Sequence, residues 1–273
     1  MISPIVPIDF VNSLESPPHL LDVRWYLDQR DGHQAYCEAH IPGAKFVDLD
    51  TVLASQPSPA KGRHPLPTPQ VFADGLAKLG VGDHDLVVAY DDLGGMVAGR
   101  LVWMLRSIGL PAALIDGGLS AWEGELESGD PNPPQPVKRT VFDWPANVVA
   151  TADEVASHIE AGGVVIDARA AERYRGDTEP VDPRAGHIPG AINIGFADNL
   201  DNAGRFVSPN DLKARFSTVA DDADPIMYCG SGVSACHNIL AMEAAGMGRP
   251  RLFVGSWSQW SSDPDRAVAT GDG

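Results

Sequence analysis

Short apolar runs alternate along this chain with stretches in which apolar residues recur every three or four positions. The runs at 164–167, 191–194, 226–228 and 252–254 are too short for buried helices and read as strands covered on both faces. Between them, 152–160 carries Val155 and Ile159 four apart. Thr151 precedes it as an N-cap, with Glu154 three residues on, the pattern of a capping box. A second stripe runs through Val233, Cys236, Leu240, Ala244 and Met247. Alternation of the two periods predicts an α/β fold, a mainly parallel sheet flanked by helices on both faces. Ligands in such sheets bind at the carboxyl ends of strands, where loops meet helix N-termini.

The pattern occurs twice. HIPGA at 40–44 returns at 187–191. Upstream lie LLDVRWY (20–26) and VVIDARAAERY (164–174), and downstream LVVAYDD (86–92) and PIMYCGS (225–231). Helical stretches follow at 96–110 and 233–247, then LIDGGLSAW (114–122) and LFVGSWSQW (252–260). A repeat of about half the chain predicts two similar domains rather than a solenoid. The proline-rich stretch SGDPNPPQP at 128–136 can neither continue a helix nor pair as a central strand. The expected organisation is therefore a first domain over 1–127, a linker over 128–147 and a second domain over 148–273.

Composition narrows the function. Lys and Arg number 20 against 37 Asp and Glu in 273 residues, a net charge of −17. That balance opposes binding to nucleic acid or to an anionic membrane surface, both of which need basic patches. It also makes any local group of arginines worth explaining. Apolar runs are too short to span a bilayer, and the first residues, MISPIVPIDF, lack the pattern of a secretory signal. Three cysteines, Cys37, Cys229 and Cys236, are too few for a disulfide framework. The expected setting is a reducing cytoplasm, where a useful cysteine is chemical rather than structural.

Cys229 is the candidate nucleophile. It ends an apolar run and opens Cys229-Gly-Ser-Gly-Val-Ser-Ala-Cys236, from which a helix starts. Two glycines let the backbone curl so that N–H groups converge on the sulfur at the positive end of a helix dipole. Such a cradle favours an anionic sulfur and would hold the outer sulfur of a persulfide equally well. Cys236, within the helix, and Cys37 read as packing residues. Zinc is disfavoured because Cys229, Cys236 and His237 lack ligand spacing and a fourth partner. A cysteine phosphatase would need arginine six residues after its cysteine to grip phosphoryl oxygens, and that position is Ala235.

The repeated HIPGA, the Y-x3-HIPGA run at 36–44, the CGSGVSAC loop and GSWSQW at 255–260 together resemble the tandem-domain rhodaneses. The likeness covers nearly the whole chain. It implies two tandem rhodanese-like α/β domains and a sulfurtransferase that needs neither metal nor organic cofactor. The loop is most similar to the branch whose donor is 3-mercaptopyruvate. The alternative is a thiosulfate:cyanide sulfurtransferase on the same cysteine, whose loop carries C-R-K-G-V instead. A non-catalytic module for persulfide carriage or partner binding is the alternative of another class. Gln259 departs from the glutamate usual in the terminal motif.

Several assignments follow from the likeness. Aligning 90–100 with 228–238 sets Asp91 opposite Cys229, and a carboxylate cannot carry sulfane sulfur, so the first domain is expected to be silent. Arg173, with Arg184 as a second candidate, corresponds to the arginines that hold the small anionic donor. Gly230, Ser231, Gly232, Val233 and Ser234 form the substrate-binding loop. A proton relay of Ser231, His64 and Asp50 is implied, and it is chemically sensible because a donor thiol must lose a proton. The sulfur acceptor would be a thiol, thioredoxin or cyanide. His40 and His187 occur in both halves and are expected to serve the fold, as are Trp257 and Trp260.

Overall fold

A computed structural model describes residues 2–219 and 224–272. Its first half runs β1 (Ile5–Val6), α1 (Ile8–Asn12), β2 (His19–Asp22), α2 (Gly32–Glu38), β3 (Lys45–Phe46), α3 (Pro69–Lys78), β4 (Val87–Tyr90), α4 (Ala98–Ser107) and β5 (Ala112–Ile115). The second runs β6 (Val149–Ala150), α5 (Ala152–Glu160), β7 (Val165–Asp167), α6 (Ala171–Arg175), β8 (Ile192–Asn193), α7 (Pro209–Arg215), β9 (Ile226–Tyr228), α8 (Ser234–Ala244), β10 (Arg251–Phe253) and α9 (Ser256–Trp260).

Each half builds one five-stranded sheet, ordered β1-β5-β4-β2-β3 in one and β6-β10-β9-β7-β8 in the other. Every strand pair in both is parallel. The central strands β4 and β9 are buried at every residue, which is why they read as unbroken apolar runs without alternation. Thr151 and Glu154 close the expected capping box on α5.

The repeated motif fastens each half in the same way. Tyr90 Oη accepts the Ile41 N–H at 3.0 Å, and Tyr228 Oη accepts that of Ile188 at 3.2 Å. Tyr36 and Tyr174 donate to the carbonyls of Ala44 and Ala191. His40 and His187 donate through Nδ1 to the carbonyls of Tyr36 and Tyr174, and their rings stack on those tyrosines. Both histidines are buried, so their hydrogen bonds are spent on the turn that feeds the next strand.

The chain divides into two compact units whose boundaries are more interleaved than the sequence pattern suggests. One comprises Met1–Ser55, Pro67–Trp144 and Asp201–Phe206; the other comprises Gln56–Leu66, Pro145–Leu200 and Val207–Gly273. The proline-rich stretch therefore stays with the first unit, while 56–66 belongs to the second. Hydrogen bonds give the reason. The Arg63 N–H donates to Ser258 Oγ at 3.0 Å, and Gln259 Nε2 donates to the Ala60 carbonyl at 2.8 Å. A glutamate at 259 would offer that carbonyl no donor when ionised, which accounts physically for the amide found there. In the reverse direction, Phe206 donates its N–H to Asp116 Oδ1 at 2.8 Å.

Candidate active site

Cys229, its loop, segment 56–66 and the arginines around them all belong to the second unit. Strand β9 delivers Cys229 at its carboxyl end, 1% exposed. The chain then reverses through Gly232, whose φ of +73° is a left-handed conformation that a side chain disfavours. That reversal turns the Gly232 N–H onto Cys229 Sγ at 3.1 Å, and α8 begins two residues later at Ser234.

The start of α9 clamps the loop from the other side. Ser256 Oγ accepts the Cys229 N–H at 3.2 Å and itself donates to the Phe253 carbonyl at 2.9 Å. Trp257 and Ser258 donate their N–H groups to the carbonyls of Cys229 and Gly230, both at 2.9 Å. Ser256 sits at φ +53°, a strained conformation for a residue with a side chain. Its two hydroxyl bonds, together with complete burial, hold it there. Trp257 is fully buried, and its Nε1–H donates to the Arg184 carbonyl.

Ser231 and His64 meet. Ser231 Oγ lies 2.8 Å from His64 Nδ1, across 167 residues of sequence, and the two residues are 8% and 6% exposed. Segment 56–66 thus brings a histidine to the cysteine loop. Asp50, the third member of the expected relay, is exposed in the first unit, on the turn Leu49–Leu53, where Trp25 Nε1 donates to it at 3.3 Å.

The arginines divide sharply. Arg173 Nη2 donates to Glu179 Oε1 at 2.6 Å and lies 3.3 Å from Asp182 Oδ2. Its buried Nε has no acceptor among the described residues. Arg184 behaves otherwise. Its Nε, Nη1 and Nη2 donate to the carbonyls of Ser261, Arg266, Trp260 and Asp263, at 2.5–2.9 Å. Arg184, expected to hold substrate, thus has its guanidinium on backbone carbonyls, where it fastens the chain after α9.

Sequence reasoning missed Arg63. It forms an ion pair with Asp182, and a Cβ placed on Gly230 would stand 3.0 Å from its Nη2 and 3.6 Å from Arg173 Nη1. Both guanidiniums therefore border the residue next to the nucleophile. Two acidic side chains missed with it, Glu179 and Asp182, are 3% and 2% exposed. Glu179 accepts the N–H groups of Val181 and Asp182 and pairs with Arg169, which in turn pairs with Asp167. Burial pushes the Glu179 carboxyl up, but Arg173 and those amides together hold it below its usual range. Burial raises Asp182, helped by Glu179, against the pull of Arg63 and Arg173.

The equivalent loop of the first unit is plugged. Asp91 is fully buried and accepts four backbone N–H bonds, from Leu93, Gly95, Val97 and Ala98, at 2.7–2.9 Å. Four convergent amides form an anion nest, filled here by the chain's own carboxylate. Among the described residues no group of three or more His, Cys, Asp or Glu side chains could hold a metal. None of the described helices is long and apolar enough to cross a membrane.

Known proteins resemble this chain over most of its length. The sequence signature of the Rhodanese-like domain matches residues 7–125 and again 151–263. A relative from Pseudomonas aeruginosa carrying a 3-mercaptopyruvate sulfurtransferase name is 42% identical over 93% of this chain and 92% of its own. One from Mycobacterium tuberculosis carrying a thiosulfate sulfurtransferase name is 41% identical, over 93% and 92%. The solved structure of 3-mercaptopyruvate sulfurtransferase from Leishmania major superposes with a TM-score of 0.85 at 31% identity, covering 95% of this chain and 74% of that one.

Proposed function

The chain belongs to the rhodanese family as a tandem-domain sulfurtransferase, and we propose that its second domain moves sulfane sulfur from 3-mercaptopyruvate to a thiol, thioredoxin or cyanide through a persulfide on Cys229. The observation that carries the choice of donor is the Ser231–His64 contact at 2.8 Å. 3-Mercaptopyruvate brings a thiol proton that must leave its sulfur, and its departing enolate must gain one. Thiosulfate has no proton to move. A hydroxyl–imidazole pair two residues from the nucleophile therefore suits the first donor, and histidine titrates in the right range for the task.

In the first half-reaction Cys229 thiolate attacks the donor sulfur. An S–S bond forms and the carbon–sulfur bond breaks, its electron pair leaving on pyruvate enolate. The thiol proton passes toward Ser231 and His64, and the enolate carbon takes up a proton to give pyruvate. Arg173 and Arg63 hold the donor carboxylate beside Gly230, while the amides of 230–234 cradle the anionic outer sulfur. In the second half-reaction the acceptor attacks that outer sulfur and restores the thiolate, a ping-pong scheme. Three cysteines without a disulfide support a reducing compartment, the cytoplasm.

Thiosulfate as donor is the second reading, favoured by the two guanidiniums bordering Gly230. Steady-state kcat/KM for both donors decides between them. A preference for 3-mercaptopyruvate that disappears in Cys229→Ser, with a one-sulfur mass increase on Cys229 after donor alone, is the expected result. A strong preference for thiosulfate, or activity that survives Cys229→Ser, overturns the assignment.

A further inference from the structure

The two guanidiniums that border Gly230 stand at one end of a continuous chain of ion pairs whose carboxylates are buried. Asp182 bridges Arg63 and Arg173; Glu179 joins Arg173 to Arg169; Arg169 closes on Asp167. Three guanidiniums meet three carboxylates, so the chain as a whole carries no net charge. The two arginines nearest the nucleophile are thus matched by acidic groups that are almost wholly buried. In such surroundings charge interactions are weakly screened and each unit of charge counts.

This compensation has a direction. A monoanion gains from a pair of positioned guanidiniums mainly through hydrogen bonds to the atoms that border Gly230, Arg63 Nη2 and Arg173 Nη1, while Asp182 and Glu179 engage Arg63 Nη1 and Arg173 Nη2. A dianion gains in addition from net positive charge, which the two carboxylates remove. We propose that Asp182, supported by Glu179, is a donor-specificity residue: it holds Arg63 and Arg173 beside Gly230 while cancelling their charge, so that a monocarboxylate donor is favoured over dianionic thiosulfate. This rests on the reading of Cys229 as the sulfur carrier. Asp182 acts on the donor through the arginines and is a positioning residue, not a reacting one.

The test is the ratio of kcat/KM for thiosulfate to that for 3-mercaptopyruvate, measured on the full-length protein. In Asp182→Asn the ratio rises about tenfold, the expected scale when one buried unit charge is removed near a dianion. Added salt lowers the ratio more steeply in the variant than in wild type. Glu179→Gln moves it the same way and stands in should Asp182→Asn fail to fold, while Asp182→Glu restores the wild-type ratio. A purely structural role would depress both donors in parallel. Wild type that turns over 3-mercaptopyruvate, with both neutral variants leaving the ratio unchanged, overturns the proposal alone. Wild type that forms no Cys229 persulfide with either donor overturns the underlying reading as well.

Discussion

Asp91 stands in its half of the repeat where Cys229 stands in the other, and its carboxylate accepts the four amide N–H bonds of the loop that follows it. Both residues end a fully buried central strand. The loop of the first half is therefore a built anion site, with the anion supplied covalently. Asn at 91 would keep one carbonyl oxygen but turn an NH2 group toward two of the amides. Leaving two buried donors unsatisfied costs about 2–4 kcal/mol. Asp91→Asn is expected to lower stability by that amount in urea denaturation at neutral pH, because the nest then has no full set of acceptors.

The Ser231–His64 contact predicts coupled losses. Ser231→Ala and His64→Gln should each lower kcat with 3-mercaptopyruvate by about 100-fold or more, within the range of positioned proton transfer. The double variant should lose no more than the worse single one, since both act in one unit. With thiosulfate, which brings no proton, the same substitutions should change kcat by less than about threefold. Stopped-flow measurement of persulfide formation with each donor checks this.

Arg63 and Arg184 should separate cleanly. Arg63→Ala removes a guanidinium that borders Gly230 and leaves Asp182 short of a partner, so KM for 3-mercaptopyruvate should rise about tenfold or more. Arg184→Ala instead frees four carbonyls in 260–266. Its expected signature is a loss of about 2–4 kcal/mol in unfolding free energy, with KM of the remaining folded protein close to wild type. Thermal unfolding beside steady-state kinetics distinguishes the two.

Acid should mimic Asp182→Asn. Burial raises the Asp182 carboxyl above its usual range, with Glu179 acting the same way and Arg63 and Arg173 opposing. As pH falls through that raised value the carboxyl takes up a proton and becomes neutral, which releases the charge of the two arginines. The thiosulfate-to-mercaptopyruvate ratio should therefore climb toward acid pH in wild type. In Asp182→Asn, already neutral at that position, this limb should be missing. A pH series of both donors on both proteins measures it.

The sequence alone determined the two-fold repeat, the strand–loop–helix that carries Cys229, and the contrast with Asp91. These are local properties: buried parallel strands read as unbroken apolar runs, and glycines next to a helix start shape a loop within a few residues. His64 and Ser231 were legible as relay partners through resemblance, and the tertiary structure added the 2.8 Å distance that joins them across 167 residues. Arg63 had no signal beyond adjacency to His64, and Asp182 and Glu179 looked like ordinary acidic loop residues. Arg184 shared with Arg173 an irregular, arginine-bearing stretch, yet one guanidinium meets carboxylates near the nucleophile and the other meets backbone carbonyls. Only the tertiary structure decided this, together with the passage of 56–66 into the second unit. An arginine's local pattern is the same whether its partner is a donor anion, a carboxylate or a carbonyl, and that partner is supplied by chain far away in sequence.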